Sequence, residues 1–329
     1  MFIEQGVKPE NRFWKYLVGS VLIIVASAFG QLPWVFAAFA KLITEGRSIY
    51  GLDQNVIMTA LEPNLNLFLM LFSFVVAIFA IFLVIRKLHG QTVLSVTTSR
   101  PKIDWGRVFF SFGLWAMFTV VSTVFIYFES PESFVVNFKP VPFLILVVIG
   151  TLLIPVQTST EEYVFRGYLM QGFANLSGNK WFPLLMTSVI FGSLHFVNPE
   201  VTKMGNIIMV YYIGTGLFLG ILTLMDEGME LALGFHAANN LIGALLLTSD
   251  WTVFQTHSIL KDVSEPTVGF DVLFPILVIF PILLFIFSKK YGWTDWAERL
   301  TGTIDRSQNH ENNPIHIKTE NNDNESDLS

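Results

Sequence analysis

Glu161-Glu162-Tyr163-Val164-Phe165-Arg166-Gly167 closes an apolar run that opens at Val141, and it sets two carboxylates and a guanidinium where the sequence otherwise reads as membrane. Charges at membrane depth are costly, and those that occur face a protein interior or a wet cavity. On a helix, Glu162 and Arg166 stand four residues apart with the acid first, the order that favours an ion pair. Glu161 lies about 100° around the same helix and has no such partner. The spacing predicts a self-neutralising support, Glu162 with Arg166, and leaves Glu161 as the reactive carboxylate. Burial suits Glu161 to act as a general base near neutral pH.

The chain around this stretch is far from an ordinary soluble domain. Of its 329 residues, 52% are hydrophobic and 14% charged, against about 25% charged in soluble domains. Its 32 phenylalanines fit a lipid-facing surface. The absence of cysteine excludes disulfides, thiolate metal sites, cysteine nucleophiles and S-prenylation of the chain itself. The net charge of −6 says little about partners, because residues 301–329 carry −4 of it. The charged start leads into an apolar run too long for a signal-peptide core, so a retained first helix is expected.

About 20 mostly apolar residues cross the hydrocarbon. The expected fold is an all-α integral membrane protein of about eight transmembrane helices. Candidate spans are 16–40 (bent near Pro33), 67–85, 108–128, 141 into the glutamate motif, 182–197, 207–224, 231–247 and 268–287. Pro275 and Pro281 should kink the last. With the N-terminus inside, 15 Lys and Arg fall on the cytoplasmic side and 5 outside, which places both termini in the cytoplasm. The basic loop from Arg86 to Arg107 then lies on the anionic inner leaflet.

Four regions follow: 1–140, the first three helices with the basic loop; 141–250, a catalytic helical core; 251–300, the last helix and juxtamembrane segment; and 301–329, a polar tail expected to be disordered. No internal repeat of the kind that builds two-half transporters is visible.

Only two of the six histidines, His195 and His236, sit in apolar segments; His89, His257, His310 and His316 fall in loops or the tail. A single membrane histidine is often an interhelical hydrogen bonder. Two of them with two glutamates and an arginine, in three nearby segments, favour a hydrolytic site. If Ser177-Gly178-Asn179 turns between antiparallel helices, Glu161 and His195 each stand 17 residues from Gly178, about 25 Å from the turn and at one level. His236 and Asn240, four apart, share a helix face. They offer an imidazole N–H and an amide N–H to a developing oxyanion; an ordinary interhelical hydrogen-bond pair is the plainer alternative. Phe191, four before His195, reads as packing.

Glu-Glu-x-x-x-Arg at Glu161–Arg166, Phe-x-x-x-His at Phe191–His195 and His-x-x-x-Asn at His236–Asn240 together resemble the three motifs of the CPBP family, the CAAX-processing and bacteriocin-processing (Abi) intramembrane proteases. The resembling region spans roughly 141–247. The resemblance implies an eight-helix core and a site opening to the cytoplasm. It also implies that Glu161 and His195 activate a water, that His236 and Asn240 hold the oxyanion, and that Glu162 and Arg166 support them. Members are described both as metalloproteases and as glutamate-dependent enzymes, which leaves the cofactor open. Glu161, His195 and His236 could supply a catalytic zinc, and Glu162 would then have to be the base. Metal-independent hydrolysis is the preferred reading, because a base and an oxyanion pair account for every residue.

The function expected is therefore an intramembrane endopeptidase cutting a hydrophobic or lipidated membrane peptide in a bacterial cell membrane. Expected partners are that peptide and membrane lipids; nucleic acid is not among them. A non-catalytic immunity or scaffold protein is the alternative. A proton or ion transporter ranks third, because the charged groups cluster at one depth.

Overall fold

The computed structural model describes residues 1–48, 50–51, 54–266 and 269–304. Every span expected from hydropathy has a helix, with ends shifted by a few residues: α1 Phe13–Thr44, α2 Pro63–Leu88, α3 Trp105–Glu129, α4 Pro140–Glu162, α5 Met170–Ser177, α6 Trp181–Leu194, α7 Ile208–Met225, α8 Glu230–Leu246 and α9 Phe280–Tyr291. A wider π turn, Tyr163–Leu169, joins α4 to α5, so the helix carrying the glutamates runs from Pro140 to Ser177.

Among the described residues, six helices are long and apolar enough to cross a membrane: Phe13–Thr44, Pro63–Leu88, Trp105–Glu129, Pro140–Ser177, Ile208–Met225 and Val272–Tyr291. Shorter helices carry the other two expected spans, the apolar Trp181–Val197 and the 17-residue α8. The protein is thus an all-α integral membrane protein. Val268, the expected start of the last span, and residues 305–329, most of the expected polar tail, lie outside the described residues.

Local chemistry sets the helix ends. Glu62 caps α2 by accepting from the Leu65 amide at 3.0 Å, with Pro63 in the first turn. Asp104 caps α3 through the Arg107 amide at 3.3 Å. At the foot of α5, Gly178 takes φ +69°, a left-handed conformation that glycine adopts without a Cβ penalty. The chain then reverses into α6, the hairpin expected around Gly178. Pro33 lies inside an uninterrupted α1, while Pro275 opens a π turn, Pro275–Ile279, directly before α9.

At the centre of the bundle, α8 packs on α3 and α4; α2 packs between α1 and α4, and α6 lies along α7. The largest core joins Trp115, Phe218, Phe235, Phe280 and Phe287. At Gly234 a Cβ would run into the Val108 carbonyl of α3, so glycine is what lets α3 and α8 close on each other. Three short strands, β1 Phe134–Val136, β2 Leu247–Thr248 and β3 Leu260–Asp262, pair in the order β1-β3-β2 and tie the α3–α4 connection to the segment after α8. Strands this short carry no hydropathy signal of their own.

The basic loop is tied into the protein by ion pairs. Arg100 bridges Asp226 and Glu230, each at 3.1 Å, and Arg107 reaches Asp226 at 2.9 Å and Asp104 at 3.0 Å. Trp293 donates to Asp226 at 3.1 Å. These contacts fasten the α7–α8 turn to the start of α3, and so fix where α8 begins. His89, expected in an open loop, is buried between Asn11 Oδ1 at 3.1 Å and the Tyr168 hydroxyl at 2.9 Å. His257, expected in a loop, pairs with Glu62 at 2.7 Å; His310 and His316 lie outside the described residues.

Candidate active site

The site forms where the end of α4 meets the middle of α8. Glu162 and Arg166 are fully buried and paired at 3.0 Å, as their spacing predicts. The second Arg166 nitrogen donates to the Gly216 carbonyl of α7 at 3.0 Å. Its guanidinium carbon sits 4.6 Å from the ring centre of Phe191, so the motif phenylalanine packs against the charge. The π turn begins directly after Glu162, and such turns gather at functional sites.

Glu162 also carries a second partner. Its Oε1 lies 2.7 Å from His236 Nδ1. A carboxylate only accepts, so Nδ1 bears a proton and donates it. That fixes the ring and turns His236 Nε2 toward Glu161, whose Oε2 is 3.5 Å away. Glu161 stands outside the buried pair, and its side chain keeps 19% exposure where Glu162 keeps none.

Asn240, one turn beyond His236, donates to Gln157 Oε1 at 3.0 Å. Gln157 Nε2 in turn donates to Glu161 Oε1 at 2.6 Å. Glu161, Glu162, Arg166, His236 and Asn240 are thereby brought into one connected group.

His195 stands one ring away. It ends α6, with Nδ1 2.9 Å from the Phe191 carbonyl, and stacks on Tyr212 with ring centres 4.4 Å apart. The Nδ1 proton goes to that carbonyl, which leaves Nε2 as the acceptor nitrogen. Phe191 lies between the two histidines, 4.9 Å from the His195 ring and 6.0 Å from that of His236. Among the described residues, no hydrogen bond or ion pair joins His195 directly to Glu161.

Among the described residues, no three His, Asp or Glu side chains form a metal-ligand set. Both nitrogens of His236 face carboxylates, and one nitrogen of His195 is engaged by backbone.

Sequence reading passed over Gln157, Asn239, Trp115 and Tyr212. Gln157 carried a usable signal: it is a polar residue in an apolar run, four before Glu161 and so on the same helix face. Tyr212 and Trp115 lie in other helices, and only the packing reveals them.

Comparison with known proteins now bears on this geometry. Residues 139–242 match the family described as type II CAAX prenyl endopeptidase Rce1-like. The matched segment holds all three motifs, from Glu161 to Asn240, and bears out the resemblance read from them. The Rce1-like match falls within a multi-pass integral membrane protein. The chain is also 26% identical over 273 residues to the uncharacterized protein YyaK of Bacillus subtilis (strain 168), covering 83% of this chain and 90% of that protein. No solved structure matches it.

Proposed function

We propose that the protein is an intramembrane endopeptidase that hydrolyses a peptide bond in a hydrophobic, lipidated, membrane-associated peptide. One observation carries the reading: Glu162 Oε1 holds both Arg166 and His236, while Glu161, met by Gln157 at 2.6 Å and by His236 Nε2 at 3.5 Å, is the carboxylate left to act on water. The Rce1-like match of residues 139–242 supports a prenylated C-terminal peptide as the substrate class.

In this reading Glu161, with the acceptor Nε2 of His195, takes a proton from water as its oxygen adds to the scissile carbonyl carbon. The carbonyl π pair moves to oxygen. His236 Nε2–H and the second amide proton of Asn240 receive that charge, which donors placed in advance stabilise most. Collapse of the intermediate breaks the C–N bond, and the proton held by Glu161 passes to the leaving amine.

An Nε2–H beside the Nδ1–H given to Glu162 makes His236 an imidazolium in this reading. Two carboxylates meet one guanidinium here, and a second imidazole proton brings Glu161, Glu162, Arg166 and His236 to zero net charge. Water activation is assigned to side chains, with no metal. The site opens to the cytoplasm of a bacterial cell, with both termini on that side, an orientation supported by the 15-to-5 distribution of Lys and Arg.

The test in cells compares membrane peptides from strains carrying the protein and its Glu161→Gln variant at equal abundance. A peptide shortened only in the first identifies the substrate. Identical peptide sets, with cellular phenotype intact, favour a non-catalytic immunity or scaffold role.

A further inference from the structure

The hydrogen bonds reaching Glu161 do not stop at Gln157. Asn239 Nδ2 donates to Asn240 Oδ1 at 3.0 Å, and Trp115 Nε1 on α3 donates to Asn239 Oδ1 at 3.1 Å. The row therefore runs Trp115, Asn239, Asn240, Gln157, Glu161 across three helices. Trp115 is 6% exposed and Gln157 4%, while Asn239 and Asn240 between them are half-buried.

We infer that Trp115 is a positioning residue that sets the direction of this relay and thereby holds Glu161 as an acceptor, in its carboxylate form. An amide has a donor end and an acceptor end, and either may face a given neighbour. An indole N–H only donates. Asn239 must therefore turn its oxygen to Trp115, which turns its NH₂ to Asn240. Asn240 then turns its NH₂ to Gln157, and Gln157 turns its NH₂ to Glu161. Reversing one amide alone would set donor against donor, or acceptor against acceptor. Each link follows from the donor-only end, and the last requires an acceptor oxygen on Glu161.

The inference gains its functional meaning from the reading of Glu161 as the water-activating base. Its test needs no substrate, so failure of either one is distinguishable from failure of the other. Asn239→Asp replaces the amide by a group of the same shape that only accepts. Asn240 would turn its NH₂ toward the introduced carboxylate and its oxygen toward Gln157. The Gln157 oxygen would then face Glu161, a pairing that requires a proton on Glu161.

Infrared difference spectroscopy on the full-length protein in lipid nanodiscs, with glutamate labelled by carbon-13, separates glutamic from aspartic carboxyl bands. The expected result is no protonated-carboxyl band from Glu161 in the parent protein at neutral pH. Such a band should appear in Asn239→Asp and vanish in Asn239→Asp/Glu161→Gln. A Glu161 band already present in the parent, or none in a folded Asn239→Asp, overturns the inference. If Asn239→Asp gives no cooperative thermal transition, Trp115→Phe takes its place, keeping the ring and deleting the donor. A Glu161 band weaker than that of a fully protonated carboxyl is then expected, and a spectrum identical to the parent's overturns the relay.

Discussion

His236 Nδ1 lies 2.7 Å from Glu162 Oε1, so the histidine of α8 is anchored to the second glutamate of the pair and presents its other nitrogen to the first. The two adjacent glutamates therefore have different partners and exposure, and substitutions should separate them. Glu162→Gln leaves Arg166 buried without its anion, and a broken buried pair costs about 3–5 kcal/mol. Glu161→Gln acts on a partly exposed carboxylate outside that pair, and its stability change should stay within about 1 kcal/mol. Thermal unfolding of both variants in one detergent checks the contrast. Equal destabilisation would contradict the division of roles.

The Arg100 clamp gives a second prediction. Arg100 joins Asp226 and Glu230 through different nitrogens, and Glu230 is the first residue of α8, six before His236. Arg100 is partly exposed, so solvent screens part of the loss. Arg100→Ala should cost about 2 kcal/mol, below the full value for a buried pair. Arg100→Lys should restore little of it, because a single ammonium does not reproduce the fork. Thermal unfolding reads the stability, and peptide cleavage reads whether His236 has moved.

His89 supplies a pH dependence. Burial, with a smaller effect from Lys15, pushes its imidazole down from 6.5 to about 4. The folded state thus binds the proton less readily than the unfolded chain, and this contribution to stability is fully present above about pH 6.5. It is lost as pH falls from there toward 4. Unfolding midpoints measured across this window should drop more steeply for the parent than for His89→Asn. Parallel curves would remove His89 as the cause.

A metal-independent site predicts no stoichiometric zinc in the purified protein and no change in metal content on Glu161→Ala. Elemental analysis of both, purified without chelator, makes the comparison. One zinc per chain in the parent, lost in the variant, would contradict water activation by side chains alone.

Much of this arrangement was legible in the sequence because membrane helices obey simple periodicities. The apolar runs located the helices to within a few residues, and the four-residue spacing of Glu162 and Arg166 anticipated their pair. The turn read at Ser177-Gly178-Asn179 anticipated the α5–α6 hairpin. The partner of Glu162 on α8 was not legible, because spacing within a helix says nothing about which rotation faces a neighbour. The sequence placed His236 and Asn240 on one face, yet only packing shows that one reaches Glu162 and the other Gln157. Arg100 and Arg107 looked like lipid-facing charges; beyond neighbouring Asp104, their acidic partners Asp226 and Glu230 lie more than a hundred residues away in sequence. The amide row from Trp115 escaped notice for the same reason, since a tryptophan in a membrane helix gives no hint that its N–H is in use.

Cleavage by the purified, reconstituted protein tests the central claim most directly. The protein is placed in liposomes with a fluorogenic peptide bearing a farnesylated cysteine three residues from its C-terminus, beside folded Glu161→Gln and His195→Ala variants. The account predicts release of the terminal tripeptide by the parent protein, with a loss of about 10²-fold or more in each variant. Cleavage by Glu161→Gln at the parent's rate would contradict it.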